Sequence, residues 1–136
     1  MYDNVYSIGC FDFLHAGHIK ILTYMRKKGK KLIVGIHDDN SLEKLKNLKK
    51  HEHESVEVRI SKVKKYVDVV YVINNVDPTF CFKMMYDGDG ENVYIHANDN
   101  NNFPGRGFVE TVMDIELYPY TAGISSTKIR REKNAK

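Results

Sequence analysis

The chain has 136 residues, with 21 lysines and arginines interspersed among 18 aspartates and glutamates for a net charge of +3. Such a length closes one hydrophobic core, burying about two thirds of the unfolded surface without staples, and leaves no room for a second domain. The basic residues form no arm, which favours a small anionic ligand over nucleic acid, and no apolar run approaches the length of a membrane span. Cys10 and Cys81 lack C-x-x-C spacing and read as reduced thiols. Met1 leads almost directly into the first apolar run, so no signal peptide and a cytoplasmic setting are expected.

The first strand is expected at residues 4–10. It runs into Gly9-Cys10-Phe11-Asp12-Phe13-Leu14-His15-Ala16-Gly17-His18, and Ile19, Ile21, Leu22 and Met25 then recur at helical spacing. A strand, a tight turn and a helix over 17–28 ending at Gly29 as a C-cap follow from that pattern. If His18 opens the helix, both imidazoles converge above the strand end, where the N–H groups of the first helical turn also point. An anion suits that place: Gly17 has no Cβ to hold a phosphate away, and two rings supply donors beside the positive end of the helix dipole. The alternative for either histidine is a plain helix cap.

The second strand is expected at 31–37, and 38–54 reads as a polar loop carrying Lys44, Lys46, Lys49 and Lys50. His51-Glu52-His53 has metal-like residue types, but an i, i+2 pair without a third ligand reads as a solvated loop. A helix over 55–66 and a strand over 69–74 follow. The runs Leu32-Ile33-Val34-Gly35-Ile36 and Val69-Val70-Tyr71-Val72-Ile73 are continuously apolar, as strands covered on both faces should be. Asp77-Pro78 caps and starts a helix over 78–86; a strand lies at 92–97, a weakly patterned loop at 98–108 and a last strand at 114–118. Ser125, Ser126 and Thr127 open a final helix over 125–133, and Gly123 ahead of them marks a backbone needing positive φ or close approach by a ligand. Alternating strands and helices give an α/β, Rossmann-like single domain over 1–136, with ligands expected at the carboxyl ends of the strands.

The string G-x-F-D-x-x-H-x-G-H resembles the signature of the cytidylyltransferases within the H-x-G-H nucleotidyltransferase superfamily. Thr121-Ala122-Gly123-Ile124-Ser125-Ser126-Thr127-Lys128-Ile129-Arg130 is similar to that family's R-T-x-G-I-S-S/T-T-x-I segment. Leu42-Glu43-Lys44-Leu45-Lys46 and Tyr66-Val67-Asp68 also resemble family segments, so the likeness covers nearly the whole chain, and most of all the small glycerol-3-phosphate cytidylyltransferases.

The resemblance implies a parallel five-stranded sheet in the order 3-2-1-4-5 and transfer of CMP from CTP, with Mg²⁺, to a small phosphorylated alcohol. Its catalytic groups would be His15, His18, Lys44 and Lys46. Gly9, Cys10, Phe11, Gly17, Asp99, Thr121, Gly123, Ile124, Ser125, Ser126 and Thr127 would bind the nucleotide; Asp12, Lys46, Arg59 and Tyr120 would bind the acceptor, and no residue would serve as a metal ligand. A homodimer is implied, by Tyr66-Val67-Asp68 in particular. The chain departs from the family at Ala97, Asn98 and Asn100, at Tyr120 in place of an arginine, and at Arg59, two residues off the usual arginine spacing, where Glu57 falls. These departures surround base and acceptor recognition. An ATP-dependent adenylyltransferase and a catalytically silent nucleotide-binding module are the two rival readings.

Overall fold

The computed structural model describes residues 1–97, 102–119 and 129. In chain order the elements are β1 (Tyr2–Gly9), α1 (Ala16–Lys28), β2 (Gly29–His37), α2 (Asp39–Lys46), a 3₁₀ turn (Lys50–Glu52), α3 (Val56–Val63), β3 (Val69–Ile73), α4 (Thr79–Met85), β4 (Asn92–Ala97), α5 (Arg106–Val112) and β5 (Asp114–Tyr118). The five strands form one sheet in the order β3-β2-β1-β4-β5, every pair parallel. Parallel neighbours need crossovers, and the helices supply them from both faces.

Alternation along the strands sorts the core into two layers. Val5, Leu32, Val34, Ile36, Val93 and Ile95 pack against Ile21, Leu22 and Met25 of α1 and Val63 of α3. Tyr6, Ile33 and Tyr94 face the other way, onto Phe82 of α4, Phe103 and Val109 of α5. Two-sided burial explains the unbroken apolar run of β2 and the buried centres of β1 and β4. β3 departs from the expectation of cover on both faces: it is an edge strand, and Val72 is exposed.

Three local expectations need correction. Gly29 does follow α1, but its backbone is extended (φ −154°), not left-handed. A Cβ there would stand 2.5 Å from Val5 Cγ2, so the requirement for glycine is close packing of β2 on β1. The segment 38–54 is not a loop throughout. The Asp38 carboxylate accepts from Ser41 N at 2.8 Å, capping α2, and the buried Leu42 anchors it. Nor is 98–108 wholly irregular, since Gly105, with φ of 90°, turns the chain into α5. The expected helix over 125–133 lies outside the described residues except for Ile129, which is helical. Among the described residues no helix is long and apolar enough to cross a membrane.

Candidate active site

β1 and β2 run in register, Gly9 opposite Ile36, so both end at the same rim of the sheet. Three segments meet there: the turn from Cys10 to Leu14, the start of α1, and α2. A Cβ on Gly9 would lie 3.0 Å from the Phe11 ring, so glycine lets that ring fold down over the strand end. Phe11 and Phe13 both take left-handed backbone, at φ of 51° and 49°. Side chains disfavour that region, and its use twice within three residues marks a turn held in place by its surroundings.

His15 is the N-cap of α1 and His18 its third residue. Gly17 N–H donates to His15 Nδ1 at 3.0 Å, and His15 N–H donates to His18 Nδ1 at 3.2 Å. The two rings stack, with centroids 3.8 Å apart. Both histidines are therefore caps, and capping fixes their chemistry. A neutral imidazole whose Nδ1 accepts carries its proton on Nε2, so each ring keeps an Nε2–H to donate. The expectation that free backbone N–H groups of the first turn face the ligand is modified accordingly, because the Gly17 N–H is spent on His15.

Burial keeps the pair neutral. It lowers the pKa of His15 below the usual value, and takes that of His18 down to about 3, helped by the charges of His15 and Lys46. Lys46 therefore stands close enough for its charge to be felt at His18. Lys44 and Lys46 are both exposed, and they lie on the last turn of α2 rather than in a loop. Two residues apart on a helix, they point about 200° from each other around the axis. The fold brings Lys46 towards the histidines and does not align Lys44 with it.

Arg59 is fully buried. Its guanidinium donates to Cys10 O at 3.0 Å, His37 O, Glu54 O at 3.1 Å and Asp39 Oδ1 at 3.0 Å. That leaves it no exposed surface to offer an acceptor; it ties the ends of β1 and β2 to α2. Asp12 is also buried, its carboxylate accepting from Glu54 N at 2.9 Å. Cys10 and Phe11 lie at the strand end, the Cys10 carbonyl held by Arg59 and the buried Phe11 ring 5.5 Å from that of His18. Asp68 binds Arg26 through both oxygens, which with the Leu32 N–H holds its pKa down to about 2. Asp99, Tyr120, Thr121, Gly123, Ile124, Ser125, Ser126 and Thr127 lie outside the described residues.

Three groups at this rim were not anticipated. His53, expected in a solvated loop, is buried, with Nε2 2.7 Å from Glu43 Oε2 and Nδ1 2.7 Å from Glu54 O. Glu54 binds the 11–13 turn. His37 closes β2 with a buried Nδ1 that has no hydrogen-bond partner among the described residues, and burial pushes its pKa down to about 4. Its place at the end of an apolar strand was the available signal. For His53 and Glu54 there was none, because each acquires its role from a chain reversal that residue spacing does not encode. Among the described residues no group of three or more His, Cys, Asp or Glu is arranged to hold a metal ion.

Comparison with known proteins gives the fold and the family of the chain. The "Bifunctional protein HldE" of Pseudomonas aeruginosa is 50 % identical over 44 residues, 32 % of this chain but 9 % of that protein. That of Pseudomonas paraeruginosa is 52 % identical over 42 residues, 31 % of this chain and again 9 % of the relative. The chain thus matches only a small part of the length of these curated relatives. Among solved structures, the lipopolysaccharide core biosynthesis protein from Thermoplasma volcanium superimposes with a TM-score of 0.64 at 17 % identity, over 89 % of this chain and 98 % of that one. A bifunctional NMN adenylyltransferase/ADP ribose pyrophosphatase from Francisella tularensis, complexed with AMP and a manganese ion, gives 0.69 at 17 % identity, over 97 % of this chain and 41 % of that one. At such identity these two show a common fold. The family model described as "Cytidylyltransferase-like" matches residues 6–132, nearly the entire chain including the H-x-G-H turn, and the protein belongs to that family.

Proposed function

We propose that this protein is a nucleotidyltransferase that moves CMP from CTP to a small phosphorylated alcohol of the glycerol 3-phosphate, phosphocholine or phosphoethanolamine type. The observation that carries the reading is that each ring of the histidine pair accepts a backbone N–H at Nδ1, which leaves its Nε2 free to donate. Two Nε2–H donors, fixed by backbone bonds to Nδ1, stand at the rim of a parallel sheet with the Lys46 charge nearby. In the reaction an oxygen of the acceptor phosphate attacks the α-phosphorus of CTP, the new P–O bond forms, and the bond to the β-phosphate bridging oxygen breaks to release pyrophosphate. Charge grows on the non-bridging oxygens as this happens, and preorganised N–H donors stabilise it without any proton changing place. Neutral imidazoles suffice for that role.

Lys46 would offset repulsion between the two anions as they approach. Residues 121–127, with their hydroxyl-rich helix start, would hold the β- and γ-phosphates; Asp99 would read the cytidine or its ribose, and Tyr120 would border the acceptor. Mg²⁺ would arrive with the triphosphate, whose oxygens supply most of its ligands. A cytoplasmic homodimer is the proposed working form, to be read by sedimentation velocity.

The deciding experiment incubates the protein with each of four nucleoside triphosphates and a panel of phosphoalcohols, and measures pyrophosphate. Release with CTP alone, dependent on one acceptor, is the expected result. Release with ATP would favour the adenylyl reading, which the named activity of one solved neighbour makes the first rival. A thermal shift with CTP but no pyrophosphate from any pair would identify a silent binding module.

A further inference from the structure

Glu54 lies outside the H-x-G-H motif and 36 residues after His18 in sequence, yet it grips the turn that leads into that motif at two points and is itself tied to α3. Its Oε1 accepts the Phe13 N–H at 2.8 Å, its own N–H donates to Asp12 Oδ1 at 2.9 Å, and its Oε2 pairs with Lys62. Its carbonyl is held in turn by Arg59 and His53, so the residue cannot drift without moving α2 and the strand ends as well. The side chain is 12 % exposed, which shields these bonds from competing water.

The turn it grips is one the chain would not adopt alone. Phe11 and Phe13, bulky residues both, flank Asp12 in left-handed backbone. Such conformations persist only where surrounding contacts over-determine them. Here Glu54 supplies a hydrogen bond to each of Asp12 and Phe13, and Phe13 stands two residues before the N-cap His15. A relaxed turn would swing the start of α1 and with it both stacked imidazoles. We propose that Glu54 is a positioning residue: it fixes the strained 11–13 turn and thereby sets where the Nε2–H donors of His15 and His18 stand. This rests on the reading of those histidines as the donors that act on the transferred phosphate.

Glu54→Ala, Glu54→Gln, and Phe13→Asn in the Glu54→Ala background test it, beside His15→Ala in the same assay. Glu54→Ala should lower kcat by roughly tenfold to a hundredfold, the scale expected of a small misplacement of catalytic groups, with a much smaller change in KM for the nucleotide. Glu54→Gln keeps an oxygen for the Phe13 N–H and should retain most of kcat. Asparagine tolerates left-handed backbone, so Phe13→Asn should recover part of the loss by removing the need for the grip. Long-range ¹H–¹⁵N spectra of the histidine rings supply a readout independent of turnover: the Nδ1 signals of His15 and His18 should shift in Glu54→Ala and not in Glu54→Gln. Normal kcat and unshifted rings in Glu54→Ala, with His15→Ala inactive, would overturn the positioning role alone. Equal losses in the Gln and Ala variants would also overturn it, because the Lys62 pairing and not the grip on Phe13 would then matter. Full turnover in His15→Ala would remove the reading on which it stands.

Discussion

His15 and His18 each spend one ring nitrogen on the backbone and keep the other as a donor. Replacing either with alanine should therefore have two separable effects. Loss of the Nε2–H should lower turnover by about 10²-fold to 10³-fold, the usual result of deleting one donor aimed at developing charge. Loss of the cap should cost about 1 kcal/mol of stability. Asparagine at position 15 separates them, since it caps helices well but has no Nε2; stability near that of the parent with turnover still lost is the expected result, read by urea denaturation and pyrophosphate release. This pair was legible in the sequence because a glycine-spaced histidine motif between a strand and a helix can hardly be built otherwise. Arg59 was legible as a residue of interest but not in its role. Nothing in the spacing shows that its guanidinium turns inward to the Cys10 and His37 carbonyls.

At the scale of elements, the difference between a lysine-bearing loop and a lysine-bearing helix changes what the lysines can do. α2 was hidden because its opening, Asp38-Asp39-Asn40-Ser41, has the composition of a turn, and of its two leucines, Leu42 and Leu45, only Leu42 is fully buried. Beside the local Asp38 cap, what holds the helix is tertiary: the Ser41 hydroxyl on Ile73 O and the His53–Glu43 bond on its flank. α5 was hidden for a similar reason, with Pro104, Gly105 and Gly107 clustered at its start. A loop would let Lys44 and Lys46 serve the same anion; a helix separates them. Lys46→Ala should therefore raise KM for the triphosphate or the acceptor roughly two- to five-fold, the range of a solvated charge, and Lys44→Ala should change it less. Both effects should shrink as salt rises. Equal KM changes in the two variants at low salt would mean that α2 does not keep its helical register when ligand binds.

The whole molecule ties its stability to the neutrality of two histidines, His18 and His37. Strand positions were legible from apolar runs, and the single domain from length; the order of the strands was not, since periodicity marks a strand without naming its neighbours, and that order came with the family likeness. The same two-sided burial that makes the runs legible also places His18 and His37 where protonation is costly, with pKa values near 3 and 4 against an ordinary 6.5. In the unfolded chain both titrate near 6.5. Between about pH 6.5 and 3 the unfolded state therefore binds more protons than the folded one, and stability falls as pH falls through that window. Asp68 adds to the acid side lower down, because its carboxylate is held ionised to about pH 2 and its contribution is lost as pH drops from its ordinary value of 3.8. Urea midpoints measured from pH 7.5 to 4.5 should thus hold level to about pH 6.5 and decline below it in the parent. His37→Asn and His18→Asn remove one titrating group each, so each curve should be shallower than the parent's, whatever its absolute height. Parallel curves would mean that these two rings take up protons in the folded protein as readily as in the unfolded chain, and that burial does not keep them neutral below about pH 6.5.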